Sequence, residues 1–320
     1  MEFPVFDLHC DTSFALLGED FCRCGSLKEN DLHIDLNRAS VLPGYAQCFA
    51  CFTTSNEAET SGLLQIDPVQ LFERELATFH RELERNSDII QQAFSAVDIE
   101  NNLADGIMSG ILTIEGPAGF GYDPELLEDL YKVGFRITTL GWNEKNVLTG
   151  SHKTGGGLTD LGREYVKEAQ RLGMIIDVSH ISDEAFWDII DITKAPIIAS
   201  HSNSRSVCNV SRNITDEMFL AICQTGGVAG INLYAPFVGE NPDIDSVCEH
   251  ITHFLKLAPN GKHIALGGDL DGGHPLPDGF SGIQDYPKLA DKLLENGVDA
   301  QTVKDIFWNN AVGVIRHCCT

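Results

Sequence analysis

The sequence is poor in positive charge: 22 Lys and Arg stand against 47 Asp and Glu, a formal net charge of −25 at pH 7. So acidic a chain repels phosphate backbones and anionic lipid, which argues against nucleic acid or a membrane surface as a partner. No apolar stretch reaches the length of a membrane span. The N-terminus has neither the basic segment nor the long apolar run of an export signal, and His317-Cys-Cys-Thr320 follows no apolar tail that could direct a lipid anchor. A cytoplasmic protein is expected, with its ten cysteines as free thiols. Cys48 and Cys51 form a C-x-x-C, but they lie inside the apolar run Tyr45 to Phe52 and have no second pair at zinc-ribbon spacing, so a buried structural role is expected. Cys22 with Cys24, and Cys318 with Cys319, are close pairs without ligand spacing. The glycine clusters Gly155-Gly-Gly157 and Gly226-Gly227 lack the pattern of a nucleotide loop and read as turns. No repeat, low-complexity tract or linker divides the chain, so residues 1–320 are expected to form one domain.

Hydrophobic residues make up 43% of the chain, enough to fill a large core. Apolar runs bounded by Gly, Asn, Asp or Pro give eight candidate strands, centred near Val5, Cys48, Leu112, Thr138, Ile176, Ile198, Ile231 and Ala265. Helical periodicity occupies most of the gaps. From Asp160 to Leu172 an apolar stripe of Leu161, Tyr165, Val166, Ala169 and Leu172 is followed by Gly173 at the position of a C-terminal cap. Further helices are expected over residues 67–85, 182–193, 215–224, 244–257 and 286–296. The first connection, through Gly18 to Gly25 and Asp31 to Asp35, reads as irregular and belongs at the functional end. Strand and helix in alternation predict a parallel α/β fold, and eight strands predict a closed (β/α)8 TIM barrel; a doubly wound open sheet is the alternative.

Five residues of metal-ligating type stand where these apolar runs end: His9 and Asp11 after the first, Glu115 after Leu112-Thr-Ile, His180 after Ile175-Ile-Asp-Val-Ser, and His201 after Ile197-Ile-Ala-Ser. A parallel barrel builds its site at the C-terminal ends of its strands, so these residues are placed to converge. Three imidazoles and two carboxylates suit two borderline metal ions sharing Glu115, zinc first among them. The remaining eight histidines fall in loops, on helices or, for His263, at the start of a strand. Among them His152 is notable, because the loop Asn143 to Gly157 is expected to hang over the site. Asp269 and Asp271, in Gly267-Gly-Asp-Leu-Asp-Gly-Gly273, lack the further ligands of a calcium loop; one of them could accept a proton beside a metal-bound water.

The stretches Asp7-Leu-His-Cys-Asp11, Glu115-Gly116, Gly157-Leu-Thr-Asp-Leu-Gly162, Arg171 to His180, Ser200-His-Ser-Asn-Ser204, Ser211-Arg-Asn213 and Gly267 to Gly272 resemble the membrane (renal) dipeptidase family of zinc peptidases, in a bacterial-type form. The resemblance covers essentially the whole chain. It implies an amidohydrolase-like barrel with two zinc ions, His9 and Asp11 on one, His180 and His201 on the other, and Glu115 between them. It further implies a hydroxide shared by the metals that attacks the peptide carbonyl of a dipeptide, Asp269 as the group that takes and returns the proton, with Asp271 as second choice, and Arg212 as the grip on the substrate carboxylate. Where mammalian members carry a histidine in Thr-Leu-Thr-His-Asn, this chain has Thr139-Leu-Gly-Trp-Asn143, so Trp142 and Asn143 are the substrate-facing candidates that leave stereochemistry, L-Xaa-D-Xaa included, open. The alternatives are hydrolysis of another amide, lactone or ester in the same site, and a non-catalytic metal-dependent binding protein. Homodimerisation is left open.

Overall fold

Residues 3–17, 25–55 and 66–319 are described by the computed structural model. Nine strands occur among them: β1 Val5–Cys10, β2 Tyr45–Phe52, β3 Ile90–Gln92, β4 Met108–Glu115, β5 Phe135–Thr139, β6 Ile175–Asp177, β7 Ile197–Ala199, β8 Val228–Ile231 and β9 Ile264–Leu266. Every pairing is parallel, in the order β2-β1-β9-β8-β7-β6-β5-β4, and β4 returns to β2 from Ala46↔Ser109 to Phe52↔Glu115. The eight expected strands therefore close into a TIM barrel. β3 is the strand that periodicity missed. It is a three-residue Ile-Gln-Gln that pairs with Met108–Gly110 on the β4 edge that β5 takes up from Leu112 onward. With two glutamines and no apolar run, it carries no pattern to read.

The expected helices appear within a residue or two as Pro68–Arg85, Asp160–Leu172, Asp183–Ile192, Asp216–Thr225, Ile244–Leu257 and Tyr286–Glu295. Five of the six start at a side-chain cap, as where Thr159 accepts from Gly162 N–H and Ser182 from Ala185 N–H, while Tyr286–Glu295 starts with Pro287 in its first turn, and Gly173 closes the helix Asp160–Leu172 at φ +88°. The helices Ala96–Ala104 and Leu127–Val133, and the C-terminal run from Ala300 to Cys318, were not anticipated. Trp308, Val312 and Ile315 of that run pack with the barrel interior, in a cluster that draws Phe6, Cys48, Ile111, Ile137, Ile175, Ile198, Val228 and Ala265 from all eight barrel strands.

Strand alternation then sets what lies above this apolar floor. Two residues further along the same faces come Thr113, Thr139, Asp177, Ser200, Gly230 and Gly267, a layer of small and polar residues that Leu8 and Ala50 complete on β1 and β2, and above that Glu115, Asn232 and Asp269. Cys48 faces the interior cluster while Cys51 belongs to the outer one, and both thiols are free and buried, in keeping with a structural role. Cys22, Cys24 and most of the expected irregular segment Gly18 to Gly25 lie outside the described residues. Among the described residues no helix is long and apolar enough to cross a membrane.

Candidate functional site

His9 lies in β1 and Glu115 ends β4, as expected, but His180 and His201 lie beyond the ladder, because β6 stops at Asp177 and β7 at Ala199. The cause is local. Asp177 Oδ1 accepts the N–H groups of Ser179 and Ser200, both at 2.9 Å, so a side chain takes the place of the strand partner and the backbone turns into the mouth. Asp7 repeats the device between β1 and β9: Oδ1 accepts from His9 N–H and Oδ2 from Gly268 N–H, both at 2.9 Å, while Tyr286 Oη also donates to Oδ2. Neither carboxylate was assigned a role from sequence, although a carboxylate inside an apolar strand is itself a signal, since burial must be offset by hydrogen bonds.

The turns that follow are strained. Of the five non-glycine residues with positive φ among those described, three stand here: His180 at 70°, Asp269 at 56° and Asp271 at 69°. Each such residue costs on the order of 1–3 kcal/mol, and strain of this kind gathers where geometry serves function. Gly272 allows the closest approach, for a Cβ there would overlap Asp11 Oδ2 and Asp269 Oδ1. Gly116, at φ +78°, turns the chain directly after Glu115, where a Cβ would meet Thr53 O.

The five expected ligands converge. His9 Nε2 is 3.4 Å from Asp11 Oδ2, 3.3 Å from Glu115 Oε2 and 3.9 Å from Asp269 Oδ1, yet makes no hydrogen bond although it is buried. Glu115 turns its other oxygen the opposite way, with Oε1 2.9 Å from His180 Nε2 and 3.7 Å from His201 Nε2. His180 Nε2 and His201 Nε2 face each other at 2.9 Å, and the His9 ring stacks on that of His201 with centroids 3.7 Å apart. The sets His9, Glu115, His201 and His9, Asp11, Asp269 each bring three ligand atoms within reach of one ion.

Electrostatics follow from this crowding. Burial pushes the Glu115 and Asp269 carboxyls above the usual carboxylate range, with His9 opposing the rise and Asp11 adding to it. Burial alone would lower His9, but Glu115 and Asp11 outweigh it and hold the imidazole well above its ordinary value. His180 and His201 go the other way, depressed by burial and by Arg212 among other cations. The three carboxylates around His9 make this a place that favours positive charge.

Around this centre the other expected residues divide. Asp269 Oδ2 accepts from Asn232 Nδ2 at 3.0 Å, leaving Oδ1 toward His9. Arg212 is buried; its Nη1 donates to Ser202 Oγ at 2.6 Å, while Nε and Nη2 have no hydrogen-bond partner. Trp142 stands edge-on to Phe52, with its ring centroid 6.3 Å from that of His180. Asn143 Oδ1 lies 3.1 Å from His180 Nδ1 and 2.8 Å from His152 Nε2, and His152 Nδ1 is 2.9 Å from Ser211 Oγ, so the loop carrying His152 does reach the mouth. Asp271 is directed elsewhere: Oδ1 accepts from His33 N–H and Oδ2 from Thr12 Oγ1, both at 2.6 Å, fastening the segment before Asp35 to the turn after β9.

A sequence model of one protein family, described as membrane dipeptidase (peptidase family M19), matches residues 1–319. An uncharacterised dipeptidase of Schizosaccharomyces pombe is 32% identical over 273 residues, 82% of this chain and 63% of its own length. A Klebsiella pneumoniae protein encoded in the region 5′ of pqqA is 31% identical over 265 residues, 78% of this chain and 97% of its own length. The chain thus spans less than two thirds of the yeast protein and nearly all of the bacterial one. Among solved structures, a metallopeptidase of Rhodobacter sphaeroides, liganded with a phosphinate mimic of the dipeptide L-Ala-D-Ala, superposes with a TM-score of 0.87 at 26% identity, covering 99% of this chain and 100% of that one.

Proposed function

This chain belongs to the membrane dipeptidase family, and on that premise we propose that it is a metal-dependent dipeptidase whose barrel mouth holds two zinc ions. One observation carries the reading. Asn143 Oδ1 can only accept, so His180 donates through Nδ1, and its Nε2 presents a lone pair to His201 Nε2 at 2.9 Å and Glu115 Oε1 at 2.9 Å. Two imidazole nitrogens and a carboxylate oxygen packed this closely in a buried site repel one another unless a proton or a cation lies among them. Imidazole and carboxylate are the donor set zinc takes. His9 and Asp11 would hold one ion, His180 and His201 the other, and Glu115 offers one oxygen to each side. Ions bound there would polarise the peptide carbonyl and acidify water.

The chain's own groups supply the rest. Asp269, fixed by Asn232 through one oxygen, takes a proton on Oδ1 from the attacking water and returns it to the leaving amine; its raised affinity for a proton suits both halves of that exchange. Arg212 meets the substrate's terminal carboxylate with Nε and Nη2, two donors on a guanidinium already oriented by Ser202. A fixed cation close enough to the cluster to act on His180 and His201 would restrict the substrate to a dipeptide. Trp142 lines the wall beside His180 and bears on which side chains fit. In this reading Asn143 orients His180, and Asp271 anchors a loop; neither touches substrate.

The test is a panel of L-Xaa-L-Xaa and L-Xaa-D-Xaa dipeptides offered to zinc-loaded and to chelated protein. Cleavage of either stereochemical series that chelation abolishes is expected. Inactivity of fully metallated protein on all of them, with turnover of another amide, a lactone or an ester, would replace the dipeptidase assignment.

A further inference from the structure

Beneath His201 lies a chain of hydrogen bonds whose proton positions can be counted. Asp177 Oδ1 already accepts two backbone N–H groups, and Asp177 Oδ2 accepts from Ser200 Oγ. A carboxylate has no proton to give, so the single hydroxyl proton of Ser200 points down to Asp177. Ser200 Oγ is also 2.6 Å from His201 Nδ1. With its proton committed, Ser200 can only accept there, and the imidazole proton must sit on Nδ1. His201 is fully buried and its ring is stacked on that of His9, which leaves Ser200 Oγ as the partner its Nδ1 faces.

From this count we propose that Asp177 and Ser200 are positioning residues that hold the His201 proton on Nδ1 and so present Nε2 to the mouth as a bare lone pair. This is the outer carboxylate support that metal-binding histidines commonly have, with a serine inserted between the two. The consequence for metal rests on the two-zinc reading above; the proton position does not.

Two substitutions separate the roles. In Asp177→Asn, the N–H groups of Ser179 and Ser200 require the amide oxygen to stay at the Oδ1 position, so the amide NH2 must face Ser200 Oγ and donate to it. Ser200 then donates to His201 Nδ1 at 2.6 Å in preference to Ser179 Oγ at 3.4 Å, and the imidazole proton moves to Nε2, facing the ligand cluster. In Ser200→Ala the partner is gone and the preference for Nδ1 is relaxed. Long-range ¹H–¹⁵N NMR of histidine-labelled, metal-free protein reads these states directly, the His201 signals being identified by their loss in His201→Asn. Expected are an Nδ1–H imidazole in the native chain, an Nε2–H imidazole in Asp177→Asn and a mixture in Ser200→Ala. Zinc affinity, measured by chelator competition, should fall on the order of 10- to 100-fold in both variants. An unchanged Nδ1–H signal in folded Asp177→Asn overturns the proposal, and if that variant does not fold, an unchanged signal in Ser200→Ala does so. An inverted proton in a protein whose native form binds no zinc would leave the relay standing and remove the metal reading instead.

Discussion

Asp269 and Arg212 are mouth residues whose side chains are left half-used by the fold. One oxygen of Asp269 is tied to Asn232 and the other faces His9; one nitrogen of Arg212 is tied to Ser202 while two buried nitrogens have no partner. A buried polar atom without a partner costs roughly 1–3 kcal/mol, so such atoms persist where a ligand completes them. Asp269→Asn keeps size and the Asn232 contact but cannot hold the transferred proton. We expect it to lower kcat on the order of 10²- to 10⁴-fold while metal analysis still finds two ions; unchanged kcat would remove Asp269 from the proton path. Arg212→Met removes a charge-assisted contact worth roughly 1.5–3 kcal/mol, so kcat/KM should drop roughly 10- to 100-fold for dipeptides with a free carboxylate. C-terminally amidated substrates should show little of that loss, and an equal loss on both would deny the carboxylate grip.

At this scale the sequence was legible wherever a side chain's type and its place at a strand end coincided. His9, Asp11, Glu115, His180 and His201 could be picked out that way, and the fold brings them together. Asn143 and Asp271 were not legible in the same sense: both belong to the loops of the mouth, and only the hydrogen bonds to His180, His33 and Thr12 show what they hold. Ser200 was hidden by its commonness, since nothing in a lone serine announces that its proton is committed to a carboxylate on the neighbouring strand.

Among the elements, the helix Pro68–Arg85 carries an uncommon burden on its inner face. Glu75 is fully buried there; Oε2 accepts from Phe52 N–H at the end of β2, and Oε1 has no hydrogen-bond partner. Burial raises its carboxyl well above the ordinary value, the Phe52 N–H offsets part of the rise, and Asp11 and Glu115 add to it. A carboxyl raised on folding favours the native state fully below its unfolded value of 4.5, and that contribution is lost as pH climbs toward the folded value. Glu75→Gln has no such loss. In metal-free protein the Tm of the native chain should therefore fall relative to that of Glu75→Gln as pH rises from about 5 to about 8. Parallel Tm curves over that range would show that Glu75 does not titrate between the two states.

The eight barrel strands and the six long helices were readable because each combines apolar periodicity with a capping residue or glycine. β3 and the helix Leu127–Val133 were not, being three and seven residues long, too short for a period to establish itself. The strand ends were read as longer than they are. The apolar run continues through Val178, whereas the ladder of β6 stops at Asp177 because that carboxylate captures the N–H groups beyond it.

Taken whole, the molecule stacks an apolar floor, a small polar layer and a ring of acceptors inside one closed barrel, with the C-terminal run packed against the floor. The polar layer carries Asp177 and Ser200 beneath His201, while Asp7, on the outer face of β1, ties the His9 strand end to the Asp269 turn. The net charge of −25 favours the approach of cations to the molecule as a whole. The most direct test of the account is native mass spectrometry of the chain titrated with zinc, with dipeptide hydrolysis measured on the same samples. Two zinc ions per chain, activity that rises with their binding, and loss of the second ion in Glu115→Gln are expected. A chain that stays metal-free at saturating zinc, or that cleaves dipeptides equally well without it, would contradict the account at its centre.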